Sequence, residues 1–301
     1  MLPRSFQYFA PTTIEEASRI LRERADAKVL AGGMSLIPLM KLRLASPAAI
    51  VDINGIPGLD LIQESQDRNS LTLGALTRHH AIETSPLVRS RAPLMSDVAG
   101  SIGDPQVRNV GTIGGSLAHS DPSGDWGAAL LALRASVTVF GSSGTRTIPI
   151  DEFLVDTFTT DLRADELVTQ VSVPLPSGAA SGGAYAKFER KAGDFATVGV
   201  AAQVTLESRG ATAKCVSAGV GLTAVGPKSL RASGAEAALV GRTMTKATIE
   251  EAARAAAGSC SPTDDPLRGS AAYKREMVGV FTRRALETAV SRAQGRGAAR
   301  P

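Results

Sequence analysis

Aromatic residues are scarce, at 4% of 301 residues, with one tryptophan and three tyrosines. A flat ligand finds few rings to stack on in such a chain. Cysteine is scarcer still. Cys215 and Cys260 form no CxxC and sit near no histidine in sequence, which excludes a zinc site, an iron–sulfur cluster or a disulfide framework built from this chain. Both read as small buried hydrophobes in a reducing compartment. Histidine is limited to His79, His80 and His119. No HExxH, GxSxG or GxxxxGK[ST] occurs and no GxGxxG follows a strand, so zinc-hydrolase, hydrolase-elbow, P-loop and Rossmann readings lack support. Adjacent His79 and His80 diverge on any regular element, and they read as surface or helix-capping residues. No apolar run approaches the roughly 20 residues of a membrane span. The start Met1-Leu2-Pro3-Arg4-Ser5-Phe6 carries no signal-peptide core, so a soluble, cytoplasmic chain is expected. Lysine and arginine never form a run of five and are not interleaved with aromatics, which disfavours nucleic acid. The formal charge of +4 resides at the end, where Arg283, Arg284, Arg292, Arg296 and Arg300 face Glu287 alone. That segment reads as a solvated terminus.

What is plentiful is glycine, with 30 residues, on an ordinary globular background of 43% hydrophobic and 21% charged residues. Thr12-Thr13 before Glu15-Glu16 is a capping-box start, followed by an apolar face at Ile14, Ala17, Ile20 and Leu21. With strands at 28–31 and 49–53 and a short helix after Ser35, residues 10–55 read as a small parallel α–β–α–β unit. From residue 70 the pattern changes. A strand at 71–74, helices from Thr77 to Ile82 and from Pro86 to Val98, an irregular stretch at 100–125, a helix at 126–133, a hairpin at 137–150 and a strand at 167–173 follow. Residues 174–183 read as a linker, with Gly182-Gly183 part of it. Three strand-like runs (184–190, 197–207 and 211–222) then suggest an antiparallel sheet, and helices follow near 229–240, 246–257 and 270–293. The expected divisions are 1–57, 58–177 and 178–295.

Two glycine-rich segments stand at strand–helix junctions. Leu30-Ala31-Gly32-Gly33-Met34-Ser35-Leu36 turns tightly and presents backbone N–H groups suited to a phosphate or pyrophosphate. Arg108-Asn109-Val110-Gly111-Thr112-Ile113-Gly114-Gly115-Ser116 offers glycines, small hydroxyls and an amide, and is followed by Asp121 and Asp125, which read as charges at a helix N-terminus. Residue chemistry alone reaches a phosphate-bearing ligand held mainly by backbone.

The same residues carry a family resemblance. Val29 to Leu44 resembles the first FAD loop, and Arg108 to His119 with Asp121, Pro122 and Asp125 resembles the second, of the FAD-binding medium subunits of molybdenum hydroxylases of the carbon monoxide dehydrogenase and xanthine dehydrogenase type. Asp52-Ile53-Asn54 with Ile56 to Leu59, and Asp265 with Arg268 to Ser270 and Tyr273 to Arg275, are similar too. The resemblance implies an α+β fold: a two-subdomain FAD-binding (PCMH-type) module, then a C-terminal domain with a three-stranded antiparallel sheet and helices. It implies FAD with its pyrophosphate on the first loop (Val29, Leu30, Ala31, Gly32, Gly33, Met34, Ser35 and Leu36). Gly111, Thr112, Ile113, Gly114, Gly115 and Asp125 would line the rest of the cofactor, Ile102, Gly103 and Asn109 would shape that segment, and Lys187 and Asp194 are further carry-overs. Position 34 is usually Gln or His in this family, so Met34 removes a polar contact. The implied partners are a small [2Fe–2S] subunit and a large molybdopterin subunit in a dimer of heterotrimers, with NAD or a quinone as acceptor. A stand-alone FAD oxidoreductase of the same broad fold, or a partner-binding protein that has lost its flavin, are the competing readings.

Overall fold

The computed structural model describes residues 2–176, 178 and 180–296. The division expected at 177 and the terminal Arg300 lie outside the described residues.

The chain begins with a parallel unit: β1 (Gln7–Phe9), α1 (Ile14–Glu23), β2 (Ala27–Leu30), α2 (Leu36–Lys41) and β3 (Ala49–Asp52). The strands lie in the order β1-β3-β2, each pair parallel. The capping box forms as expected. Glu16 N donates to Thr13 Oγ1 and Thr12 N donates to Glu16 Oε2, both at 3.2 Å. Ala17, Ile20 and Leu21 bury their face in one cluster with Val51 and Ile53. β1 escapes sequence reading because its three residues carry no alternation of buried and exposed positions.

A second unit follows: β4 (Ile62–Glu64), β5 (Ser70–Gly74), α3 (His79–Thr84), α4 (Pro86–Arg91), α5 (Pro93–Ser101), α6 (Pro105–Val110), α7 (Ile113–His119), α8 (Asp125–Ala132), β6 (Ser136–Gly141), β7 (Gly144–Pro149), α9 (Ile150–Phe153), β8 (Leu154–Asp156), β9 (Thr159–Thr160) and β10 (Leu167–Pro174). Its main sheet is antiparallel, β4-β5-β10-β6-β7, and Val171 in the central strand faces Leu73 on one side and Val137 on the other. These side chains, with Trp126 and Phe153, form the largest buried cluster. Two expectations change here. The single helix expected over 86–98 is two, broken at Ala92 (φ −139°), because a proline disfavours the helical conformation in the residue before it. The stretch at 100–125 holds α6 and α7. Both are too short to show periodicity, and caps mark them instead: Asp104 accepts from Val107 N at 2.8 Å, and Thr112 accepts from Gly115 N at 3.1 Å.

The last unit is antiparallel: β11 (Ser181–Phe188), β12 (Val198–Leu206), β13 (Cys215–Thr223) and β14 (Leu230–Arg231), in that order across the sheet, then α10 (Ser233–Leu239), α11 (Lys246–Ser259) and α12 (Ala271–Ala293). The three long strands are those expected, and the short β14 extends the sheet beside β13. Gly182-Gly183 is no linker; both residues pair with β12. A Cβ on Gly182 would stand 2.5 Å from Ala293 N in α12, and one on Gly183 would stand 2.9 Å from Leu94 Cβ in α5. The pair lets helices press on both faces of the strand. Cys215 and Cys260 are buried, as expected, and burial pushes the Cys215 thiol up to about 11 and the Cys260 thiol upward too. Among the described residues no helix is long and apolar enough to cross a membrane.

Candidate cofactor site

The first glycine loop is a row of unspent donors. Its carbonyls are tied down behind it: Leu30 O accepts from Ile53 N (3.1 Å), Ala31 O from Asn54 Nδ2 (2.8 Å), and Gly33 O from Ile37 N (3.0 Å). The N–H groups of Gly32, Gly33, Met34, Ser35 and Leu36 donate to no protein acceptor among the described residues. Successive free amides in a tight turn form a concavity for an anion. Gly33 makes the turn possible, with φ at +71°. Ser35 stands at the N-cap of α2, as expected, yet its hydroxyl makes no capping bond. The Met34 side chain is 39% exposed.

The second loop is built differently, because its donors at residues 113–115 are already used. Segment 75–79 runs alongside it: Gly114 N donates to Ala75 O (2.9 Å), Ile113 N to Thr77 O (3.1 Å), and His79 N to Gly111 O (3.0 Å). With Gly115 N on Thr112 Oγ1, residues 113–115 keep no free amide. This loop is a wall, and the first loop is the cradle. The two meet at Gly32, where a Cβ would stand 2.8 Å from Gly111 Cα and nearer still to Val110 O. Ala31 Cβ lies 3.5 Å from the position a Cβ would take on Gly115.

The other sequence-derived residues fall into neighbouring groups. Val29 and Leu30 end β2 and feed the first loop. Ile102 and Gly103 form the α5–α6 turn, and both of their carbonyls accept from Arg108 Nη1 at 3.2 Å. Arg108 also pairs with Glu83 at 2.9 Å. Asn109 is exposed on α6. Asp125 is more than the solvated helix charge its position suggests. It is buried at the start of α8 and accepts from Tyr185 OH (2.5 Å) and Lys187 Nζ (3.2 Å), and Lys187 also donates to Ser101 O (2.9 Å). Burial raises the Asp125 pKa against the pull of Lys187 and Tyr185. Asp194 stands apart from that cluster, paired with Arg190 (2.9 Å) and Arg268 (3.4 Å).

Sequence reading missed Arg78, His79 and Trp126. His79 is a core residue, 4% exposed, and its Nδ1 accepts from Trp126 Nε1 at 3.2 Å. Burial, aided by the charges of Arg78 and Arg108, lowers its pKa to about 4, so the ring is neutral at pH 7. It backs Gly111, where a Cβ would come within 2.9 Å of the imidazole. Nothing in the chain's pattern separates His79 from exposed His80.

These two loops, a donor cradle facing a closed wall, define a class: a module whose bare backbone suits a phosphate-bearing ligand. Comparison with known proteins narrows it. Residues 4–176 match the FAD binding domain in molybdopterin dehydrogenase, and residues 183–289 match the CO dehydrogenase flavoprotein C-terminal domain. The carbon monoxide dehydrogenase medium chain of Hydrogenophaga pseudoflava is 41% identical over 97% of this chain and 99% of its own length. The 6-hydroxypseudooxynicotine dehydrogenase complex subunit alpha of Paenarthrobacter nicotinovorans is 40% identical over 98% and 97%. Among solved structures, carbon monoxide dehydrogenase from Hydrogenophaga pseudoflava lacking the Mo-pyranopterin moiety superimposes with a TM-score of 0.92 at 43% identity, covering 97% of this chain and 99% of that one. The chain belongs to the family of FAD-binding medium subunits of molybdenum hydroxylases. It is an oxidoreductase subunit whose cofactor is FAD. The residues present fit that cofactor: five free amides suit a diphosphate, and the side-chain-free contact at Gly32 brings the wall against the cradle.

Proposed function

We propose that this chain is the electron-exit subunit of a molybdenum hydroxylase, taking electrons from [2Fe–2S] clusters of a small partner subunit and delivering them to an external acceptor such as NAD or a quinone. FAD supplies redox chemistry in one- and two-electron steps when bound. The chain's own residues do the holding. The Gly32–Leu36 amides take the pyrophosphate, residues 111–115 line the remainder of the dinucleotide, and the buried Asp125–Lys187 pair fixes the C-terminal sheet against the α5 end beside Ile102 and Gly103. The parallel unit 1–57 provides the cradle, 58–177 the wall, and 178–295 the cover.

The observation that carries this reading is the row of five unspent amides, with the carbonyls of Leu30, Ala31 and Gly33 tied behind it. The two cysteines are buried, with their thiol pKa values raised. They make poor ligands, so the clusters that feed the flavin belong to another chain. The assembly is a dimer of heterotrimers with a large molybdopterin subunit, in the cytoplasm. The relatives' names span carbon monoxide and 6-hydroxypseudooxynicotine at nearly equal identity, which supports the reading that substrate choice lies outside this chain. Affinity purification of this chain from its native cells tests the proposal. Iron and molybdenum should copurify in fixed ratio with it. A lone chain that oxidises a substrate without either metal would sink the proposal in favour of a stand-alone oxidoreductase.

A further inference from the structure

The Asn54 carboxamide sits behind the cradle and touches three things at once. Its Nδ2 donates to Ala31 O (2.8 Å) and to Asp52 Oδ1 (2.7 Å), and its Oδ1 accepts from Arg78 Nη2 (2.7 Å). The other arm of the same guanidinium, Nη1, donates to Val110 O. Ala31 belongs to the first loop, and Val110 opens the second. Val110 O is also the atom against which Gly32 packs. One amide and one guanidinium therefore bridge the backbones of both loops at their contact point. The bracket is anchored in turn. Asp52 accepts from Asn54 N (2.9 Å) and from Tyr8 OH (2.6 Å). Burial works against the Asp52 carboxylate, but these hydrogen bonds outweigh it and hold the pKa below the ordinary value.

The peptide plane gives this bracket a directional consequence. In a trans peptide the carbonyl of one residue and the N–H of the next point in opposite directions. Asn54 pulls Ala31 O backwards and so aims Gly32 N–H forwards, into the cradle. Arg78 fixes Val110 O and with it the distance from wall to cradle. We propose that Asn54 and Arg78 are positioning residues of the cofactor site, which lock the two glycine loops into the one spacing and orientation that accept the dinucleotide. The inference rests on FAD lying on these loops. It adds a pair of side chains outside both glycine segments that set its affinity and its bound geometry. A planar fork is required to reach both Asn54 and Val110, and a lysine can keep the charge but span only one of them.

The test uses the full chain and FAD itself. Arg78→Lys and Asn54→Asp are each compared with the parent by flavin-fluorescence titration, visible circular dichroism of the bound flavin, and melting with and without FAD. Asn54→Asp keeps the acceptor toward Arg78 and loses the donor toward Ala31. Each variant should raise the Kd for FAD about tenfold, the worth of one or two hydrogen bonds lost from the bracket. Each should alter the flavin's circular dichroism and shrink the FAD-induced rise in Tm. The double variant should be little worse than the poorer single one, since both act through one bracket. A Kd within twofold of the parent and an unchanged flavin spectrum in cooperatively folded Arg78→Lys would overturn the proposal, even if the melting temperature of the FAD-free chain fell. Should Asn54→Asp fail to fold, Arg78→Lys decides alone. A parent chain that takes up no FAD at all would overturn the underlying reading, and this inference with it.

Discussion

Replacing Gly32 by alanine probes the contact between cradle and wall with a single methyl group. The backbone at Gly32 is not left-handed, unlike that at Gly33, so alanine carries no conformational penalty of its own. The cost is steric. The new Cβ would stand 2.8 Å from Gly111 Cα and nearer still to Val110 O, so the wall must retreat about 1 Å to bring both to an ordinary 3.4 Å contact. Both obstructing groups are backbone, and Gly111 O and Val110 O are held by His79 N and Arg78, so they yield only by breaking those ties. Overpacking of this kind costs about 1–3 kcal/mol. Where the methyl group spreads the loops, the same energy appears as weaker FAD binding, roughly 5- to 150-fold in Kd. Gly58→Ala is the control. Gly58 has φ at +79° with nothing within 4 Å, so alanine there costs about 1 kcal/mol of stability through backbone strain alone and leaves FAD binding untouched. FAD titration and thermal melts on both variants separate the two effects. A Gly32→Ala chain that binds FAD as tightly as the parent would refute the packed-loop reasoning, because the loops would then be free to part.

Three further outcomes follow from the geometry. Lys187→Met leaves Asp125 buried beside Tyr185 without its cation and should destabilise the fold by about 3–5 kcal/mol; Asp125→Leu combined with Lys187→Met should recover much of that loss in chemical denaturation, and a double variant as unstable as the single one would contradict the pairing. His79 stays neutral in the fold, with a pKa of about 4 against 6.5 when exposed; its contribution to stability is complete above pH 6.5 and is lost as pH falls towards 4, about 3 kcal/mol in all. His79→Gln should flatten the pH dependence of unfolding across that window, and an unchanged slope would show that His79 is not what titrates. Gly182→Ala should cost about 1–3 kcal/mol by pushing α12 off β11, visible as a lower Tm, whereas a residue in a true linker would tolerate the methyl group.

Much of this molecule can be read from its sequence where a residue's role is local. The capping box at Thr12–Glu16, the parallel strands at 27–30 and 49–52, and the turn at Gly32-Gly33 all follow from neighbours a few positions apart. What sequence reading missed depends on partners far along the chain. Gly182-Gly183 looks like punctuation until α12 and α5, residues from 93 to 293, close on it. His79 and His80 are indistinguishable as letters; Trp126, 47 positions away, makes one of them core. Asp125 reads as a helix charge until β11 brings Lys187 against it. The candidate site divides in the same way. Its glycine loops are legible as motifs, but the distinction between free and spent amides is not, because the distant segment 75–79 supplies acceptors for Ile113 and Gly114 in the second loop and none for the first.

That distinction gives the most direct test. Backbone hydrogen exchange on the full chain, with and without FAD, reads each amide separately. The structure predicts fast exchange at residues 32–36 in the FAD-free chain and strong protection on adding FAD, while residues 113–115 are already protected and change little. Unchanged exchange at 32–36 under saturating FAD, or protection appearing only at 113–115, would contradict the claim that the first loop is where this chain holds its cofactor.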